Sequence, residues 1–225
     1  MRNYGIFSYG KGAYNMKSVS ISNYSLLQAF DDRSRAVSYG CRQKWYSSFM
    51  KRISGCAPTA FSNLVWYFHQ KQREAPISAD TSKAQMKQLM EDIWRYITPA
   101  FRGVPSATFF VRGASKYLEE NIPGVHAAEL VVPPPGKGRR PEFSEIIAFL
   151  ENSLLRDLPV AFLCLDSGDE KSLDSWHWTT IFSLEYNDDF SFAQIELIDD
   201  GKLMRIDLLK WFSTTSREGG FAALA

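Results

Sequence analysis

The apolar residues of this chain change their spacing near Leu158, and that change restricts the fold more than any other feature. Before it, apolar positions recur at helical intervals: Ala60, Phe61, Leu64, Val65 and Phe68, then Met86, Leu89, Met90, Ile93, Trp94 and Ile97. Ala107, Phe110, Val111, Ala114 and Leu118 repeat the pattern, as do Phe143, Ile146, Ile147, Leu150 and Leu154. After it, short apolar runs predict strands over 159–165, 178–186, 190–198 and 203–206, with hairpin turns at Asn187-Asp188-Asp189 and Asp200-Gly201. Leu208 to Phe212 reads as one helical turn before a closing Gly219-Gly220-Phe221 segment. Helices first and a consecutive antiparallel sheet afterwards is an α+β arrangement.

Residues 1–40 lack a sustained period and read as an irregular arm with one short helix around Tyr24 to Phe30. Residues 41–225 form the domain proper, helical over about 54–156 and sheet-forming over about 158–225. Val37, Tyr39, Cys41 and Gln43 alternate within Arg35 to Trp45 as in a short strand, and Lys51-Arg52-Ile53-Ser54 reads as a basic loop. A chain of 225 residues buries roughly 70% of its unfolded surface and needs no covalent staples. With 26 basic and 25 acidic residues, no net charge directs it to nucleic acid or a membrane surface. No apolar stretch approaches the ~20 residues of a membrane span, and Met1 to Phe7 lacks the apolar run of a signal peptide, so the cytoplasm is expected. Three cysteines without C-x-x-C argue against a disulfide framework and a zinc site; neither a metal nor a cofactor is expected.

Cys56 stands at the mouth of the first apolar helix, in Ser54-Gly55-Cys56-Ala57-Pro58-Thr59-Ala60. Pro58 suits a first turn, and the unsatisfied N–H groups and dipole of a helix start favour a thiolate over a thiol. A buried structural cysteine fits the same stretch. A nucleophilic cysteine needs a base, and the base needs an orienter. His69 lies at the far end of the same helix, about 20 Å away at helical rise, and His126 has no pattern around it. His177 stands at a strand entrance between Trp176 and Trp178, which can wall it from water. The hairpin that follows returns Asp199 beside it, where a carboxylate can hold the imidazole in the proton-accepting tautomer. Asp200 reads as the turn residue before Gly201. Cys164, inside a strand, reads as core; Cys41 alternates with Tyr39 and Gln43 and also reads as structural.

Gly55-Cys56-Ala57-Pro58-Thr59-Ala60, Leu158-Pro159-Val160-Ala161-Phe162-Leu163, Ser175-Trp176-His177-Trp178 and Ile195-Glu196-Leu197-Ile198-Asp199, in this order, resemble the papain-like cysteine peptidases. The likeness covers roughly residues 40–212 and is greatest to the bacterial branch related to double-glycine leader peptidases. It implies a papain-like fold, a helical N-terminal lobe with the cysteine helix packed on a C-terminal antiparallel sheet. It also implies Cys56 as nucleophile, His177 as general base and Asp199 as its orienter. The family places a glutamine shortly before the cysteine to complete the oxyanion hole, and Gln43 is the nearest candidate. Its spacing is longer than the family's, so a segment such as Tyr46 to Lys51 has to loop out.

The expected activity is therefore a cysteine-dependent hydrolase, most simply a peptidase, acting on a peptide or protein substrate through a thioester. An acyl transferase or deamidase with the same three residues, and a non-catalytic module of the same fold, remain as alternatives. The aromatic surroundings suggest an apolar subsite and Lys51-Arg52 a contact for an acidic group. Neither nucleic acid nor membrane is expected as a partner.

Overall fold

The computed structural model describes residues 15–30, 36–100 and 103–225. The first fourteen residues of the expected arm, with the Met1 to Phe7 start, lie outside them. In chain order the helices are α1 (Phe49–Ser54), α2 (Cys56–Lys71), α3 (Ala79–Ile93), α4 (Ala107–Asn121), α5 (Phe143–Leu155) and α6 (Leu208–Thr214). The strands are β1 (Met16–Ser20), β2 (Gln28–Phe30), β3 (Val37–Tyr39), β4 (Ala127–Val132), β5 (Val160–Cys164), β6 (His177–Asn187), β7 (Ala193–Asp199), β8 (Lys202–Asp207) and β9 (Gly219–Leu224).

The architecture is α+β, a mostly helical N-terminal part packed on an antiparallel sheet. Its order is β4-β9-β5-β6-β7-β8, with β1 also paired to β6. All five residues of β5 are buried, so the sheet is covered on both faces. Alternation divides them. Ala161 and Leu163, with Trp178, Ala222 and Leu224, join the cluster of α2 and α4; Val160, Phe162 and Phe221 join that of α5 and Trp211. Because Ala161 and Ala222 are small, α2 can lie close to the sheet, and Cys56 through Tyr67 are buried along it. Phe61 meets Phe110 and Tyr117 edge to face, at 5.7 and 5.6 Å between ring centroids, which locks α2 against α4.

Several elements differ from the expectations, each for an identifiable reason. Residues 16–30 and 37–39 are not irregular. β1 pairs with Ser183 to Asn187 along the edge of β6 that β5 leaves uncovered, and Met16-Lys17-Ser18-Val19-Ser20 carries too few apolar residues to show an alternation. Tyr24–Leu27 is a single 3-10 turn leading into β2, not a helix to Phe30, and β2 forms a separate hairpin with β3. The strand expected to reach Trp45 stops at Tyr39, because Gly40 turns with φ +69° and Gln43–Trp45 is another 3-10 turn. The supposed basic loop is the last turn of α1. The C-terminal segment is a central strand, β9, inserted between β4 and β5, so the sheet is not consecutive in sequence. Its Gly219-Gly220-Phe221-Ala222-Ala223-Leu224 is buried throughout and therefore does not alternate; a Cβ at Gly219 would stand 2.5 Å from the Trp211 ring.

Candidate active site

Gly55 separates α1 from α2 and allows their close approach, since a Cβ there would lie 2.5 Å from the Lys51 carbonyl oxygen and 2.6 Å from the Tyr46 ring. No side chain caps the start of α2, so the Cys56 and Ala57 N–H groups are not taken by a capping side chain. Cys56 is 8% exposed. Its side chain borders a cavity of about 220 Å³ that Gln43, Asn63, His177 and Asp199 also line. The four residues singled out in the sequence therefore share one cavity.

His177 opens β6 and is in register with Cys164 of β5. Its neighbour Trp178 anchors the strand: the indole N–H donates to the Val104 carbonyl at 2.8 Å, and the ring stacks on Phe110 at 4.3 Å. Of the two tryptophans expected to wall His177 from water, only Trp178 is buried, at 3% exposure. Trp176 is 41% exposed because its backbone turns through φ +60° just before the strand. The register Thr180↔Ile198 places Asp199 one step further, diagonal to His177 across the hairpin. There the Asp199 Oδ1 lies 2.6 Å from the His177 Nε2. Burial alone would lower the His177 pKa, but the Asp199 hydrogen bond and the Cys56 sulfur beside the ring outweigh it. The net shift is upward, to about 10.

Gln43 reaches the cavity by a different route. Residues 46–48 lead into α1 (Phe49–Ser54), and the Gln43 side-chain amide donates to the Arg52 carbonyl at 2.9 Å. That bond uses one of its two N–H groups. Lys51 and Arg52 do not face the cavity as free charges: Lys51 pairs with Glu91, and Arg52 donates to the Tyr46 and Ser47 carbonyls at 3.0 and 2.8 Å.

Sequence reading missed Asn63. It stands on α2 below Cys56, accepts the Cys41 N–H at 2.6 Å and donates to the Thr180 hydroxyl at 3.0 Å. It thus ties the segment carrying Gln43 to the strand carrying His177. A Cβ at Gly40 would come within 2.7 Å of it. The only available signal was a polar residue at an inward position of an apolar helix. Asp200 forms the expected turn with Gly201, with positive φ at both positions. Its carboxylate also pairs with Lys44 at 2.9 Å and Arg42 at 3.4 Å, on either side of Gln43. Cys41 and Cys164 are buried; burial pushes both thiols up, Cys164 to about 12. Among the described residues, no group of three or more His, Cys, Asp or Glu side chains is placed to hold a metal ion. No helix among them is long and apolar enough to cross a membrane.

No protein-family model matches the sequence, and no curated protein matches it. Among solved structures, UfSP from C. elegans is similar with a TM-score of 0.49 and 10% identity, over 92% of this chain and 34% of that one. This chain spans about a third of that protein's length, and so slight a likeness carries no argument about family or activity.

Proposed function

We propose that the chain is a cysteine-dependent hydrolase of papain-like fold, most simply a peptidase, with Cys56 as nucleophile, His177 as general base and acid, and Asp199 as its orienter. The observation that carries this reading is the 2.6 Å contact between His177 Nε2 and Asp199, in a cavity that Cys56 borders. With Nε2 engaged, Nδ1 is the nitrogen left to exchange a proton with sulfur. With its pKa raised to about 10, the imidazole is held protonated beside the Cys56 sulfur, ready to act as an acid.

In the proposed reaction the Cys56 thiolate adds to the substrate carbonyl carbon, and the negative charge moves to its oxygen. The Cys56 N–H and the second N–H of Gln43 stabilise that oxygen. The tetrahedral intermediate collapses, the carbon–nitrogen bond breaks, and His177 gives its proton to the departing amine. Water then loses a proton to His177 and attacks the thioester. The carboxylic acid leaves and the thiolate–imidazolium pair is restored. Three free cysteines among the described residues suit a reducing compartment such as the cytoplasm. The order of the sequence motifs favours the bacterial branch of the superfamily.

A second reading, a non-catalytic module, draws on the Gln43 amide already held by Arg52. The deciding experiment compares the wild type with Cys56→Ala on a broad peptide library, with mass spectrometry of the products. Cys56-dependent fragments support hydrolysis; an adduct or a mass gain of about one unit redirects the reading to transfer or deamidation. No Cys56-dependent product, together with no selective alkylation of Cys56, contradicts it.

A further inference from the structure

Cys56 borders a second space besides the polar cavity. This groove, of about 560 Å³, is walled by Met50 and Ile53 of α1 on one side and by Trp176 and Arg217 on the other. Its apolar walls are open to solvent: Met50 is 52% exposed, Ile53 58% and Trp176 41%.

The two walls are built against the ordinary preference of surface elements. A surface helix normally turns its apolar residues inward and its charges to water. α1 buries none of its six residues, leaves Phe49, Met50 and Ile53 exposed, and is fastened by Lys51 to Glu91 and by Arg52 to two backbone carbonyls. Trp176 likewise adopts a positive φ that a bulky side chain rarely takes, and this turns its indole outward, away from the core that Trp178 enters. The exposed Arg217 guanidinium lies over that indole, 5.6 Å from the ring centre. Among the described residues no carboxylate lies within ion-pair distance of it, although its charge is near enough to Asp166 to help hold that carboxyl below the usual range. Cys56 lines both spaces, so an extended chain crossing the sulfur would continue from the polar cavity into the groove.

We propose that this groove is a substrate subsite taking a large aliphatic side chain between α1 and Trp176, with Arg217 meeting a carboxylate next to it. The substrate is then an extended peptide segment with an aliphatic and an acidic residue side by side near the reacting bond. The position of that bond rests on the reading of Cys56 as nucleophile; the binding itself does not. Lys51 is paired with Glu91 and Arg52 is tied to two backbone carbonyls, so Arg217 takes the acidic contact expected of them.

The test is binding to the full-length Cys56→Ala protein of three fluorescein-labelled Gly/Ser octapeptides whose central pairs are Leu-Glu, Ala-Glu and Leu-Lys, read by anisotropy. Leu-Glu binds most tightly, at least about tenfold better than Ala-Glu, the scale of losing several methylenes from an apolar subsite. Ile53→Lys or Trp176→Ala removes the advantage of Leu, and Arg217→Glu reverses the order of Glu and Lys. Equal binding of the three peptides, no binding, or a preference unchanged in all three variants overturns the proposal. Alkylation of Cys56 by chloroacetamide, run in parallel on the wild type, separates this from failure of the catalytic reading. A reactive Cys56 with an indifferent groove sinks the subsite alone.

Discussion

His177 and Asp199 enter the cleft from neighbouring strands joined by one hairpin, whereas Gln43 enters from a 3-10 turn held to the rest of the chain by side chains. The first pair is positioned by backbone ladders: β6 lies between β7 on one edge and β5 and β1 on the other, and none of these hydrogen bonds depends on a particular side chain. Gln43 depends on Asn63, on Asp200 and on the Arg52 carbonyl. Of the two, the sheet-borne half is expected to tolerate substitution around it and the Gln43 half to be sensitive to single changes.

The largest effect tests the sheet-borne half itself. His177→Ala removes the proposed proton carrier and is expected to lower kcat by about 10⁴-fold or more, with the fold retained by circular dichroism. The raised pKa of His177 adds a pH signature. Activity that needs the imidazolium falls as pH rises through about 10. The same group stabilises the fold fully below its unfolded value near 6.5, and that contribution is lost as pH climbs from there to about 10. Thermal melts from pH 6 to 10 should show the decline in the wild type and a flatter profile in His177→Ala.

Gln43→Ala comes next, with a loss of about 10²–10³ in kcat, the scale of one oxyanion donor. Alkylation of Cys56 by a small reagent should be unchanged, which separates oxyanion support from nucleophile activation. Asn63→Ala strands the buried Cys41 N–H and Thr180 hydroxyl and is expected to cost about 1–3 kcal/mol for each unsatisfied group. It should also reduce kcat through Gln43, whereas a change confined to the melting temperature would show that Asn63 is structural only. Asp200→Asn weakens two part-exposed ion pairs and is expected to cost no more than about 1 kcal/mol.

The same division explains what could be read from the sequence. His177 and Asp199 were legible because hairpin geometry converts their spacing into proximity, and the helix of Cys56 because its apolar period is unbroken. The shared cavity with Gln43 was not legible, since it depends on how residues 46–54 fold, and the mixed apolar and basic character of α1 reads as a loop. β1 and β9 carry no alternation, one because it is short and mostly polar, the other because both its faces are buried. Trp176 and Trp178 look equivalent in the sequence; one positive φ angle sends the first to solvent while the second packs on Phe110.

The measurement that bears most directly on the central claim is the rate of Cys56 alkylation by chloroacetamide at pH 7, followed residue by residue by mass spectrometry in wild type and His177→Ala. The expected result is fast modification of Cys56, negligible modification of buried Cys41 and Cys164, and a marked slowing of Cys56 when His177 is removed. A Cys56 that reacts no faster than an unstructured thiol, or equally fast with and without His177, would contradict it.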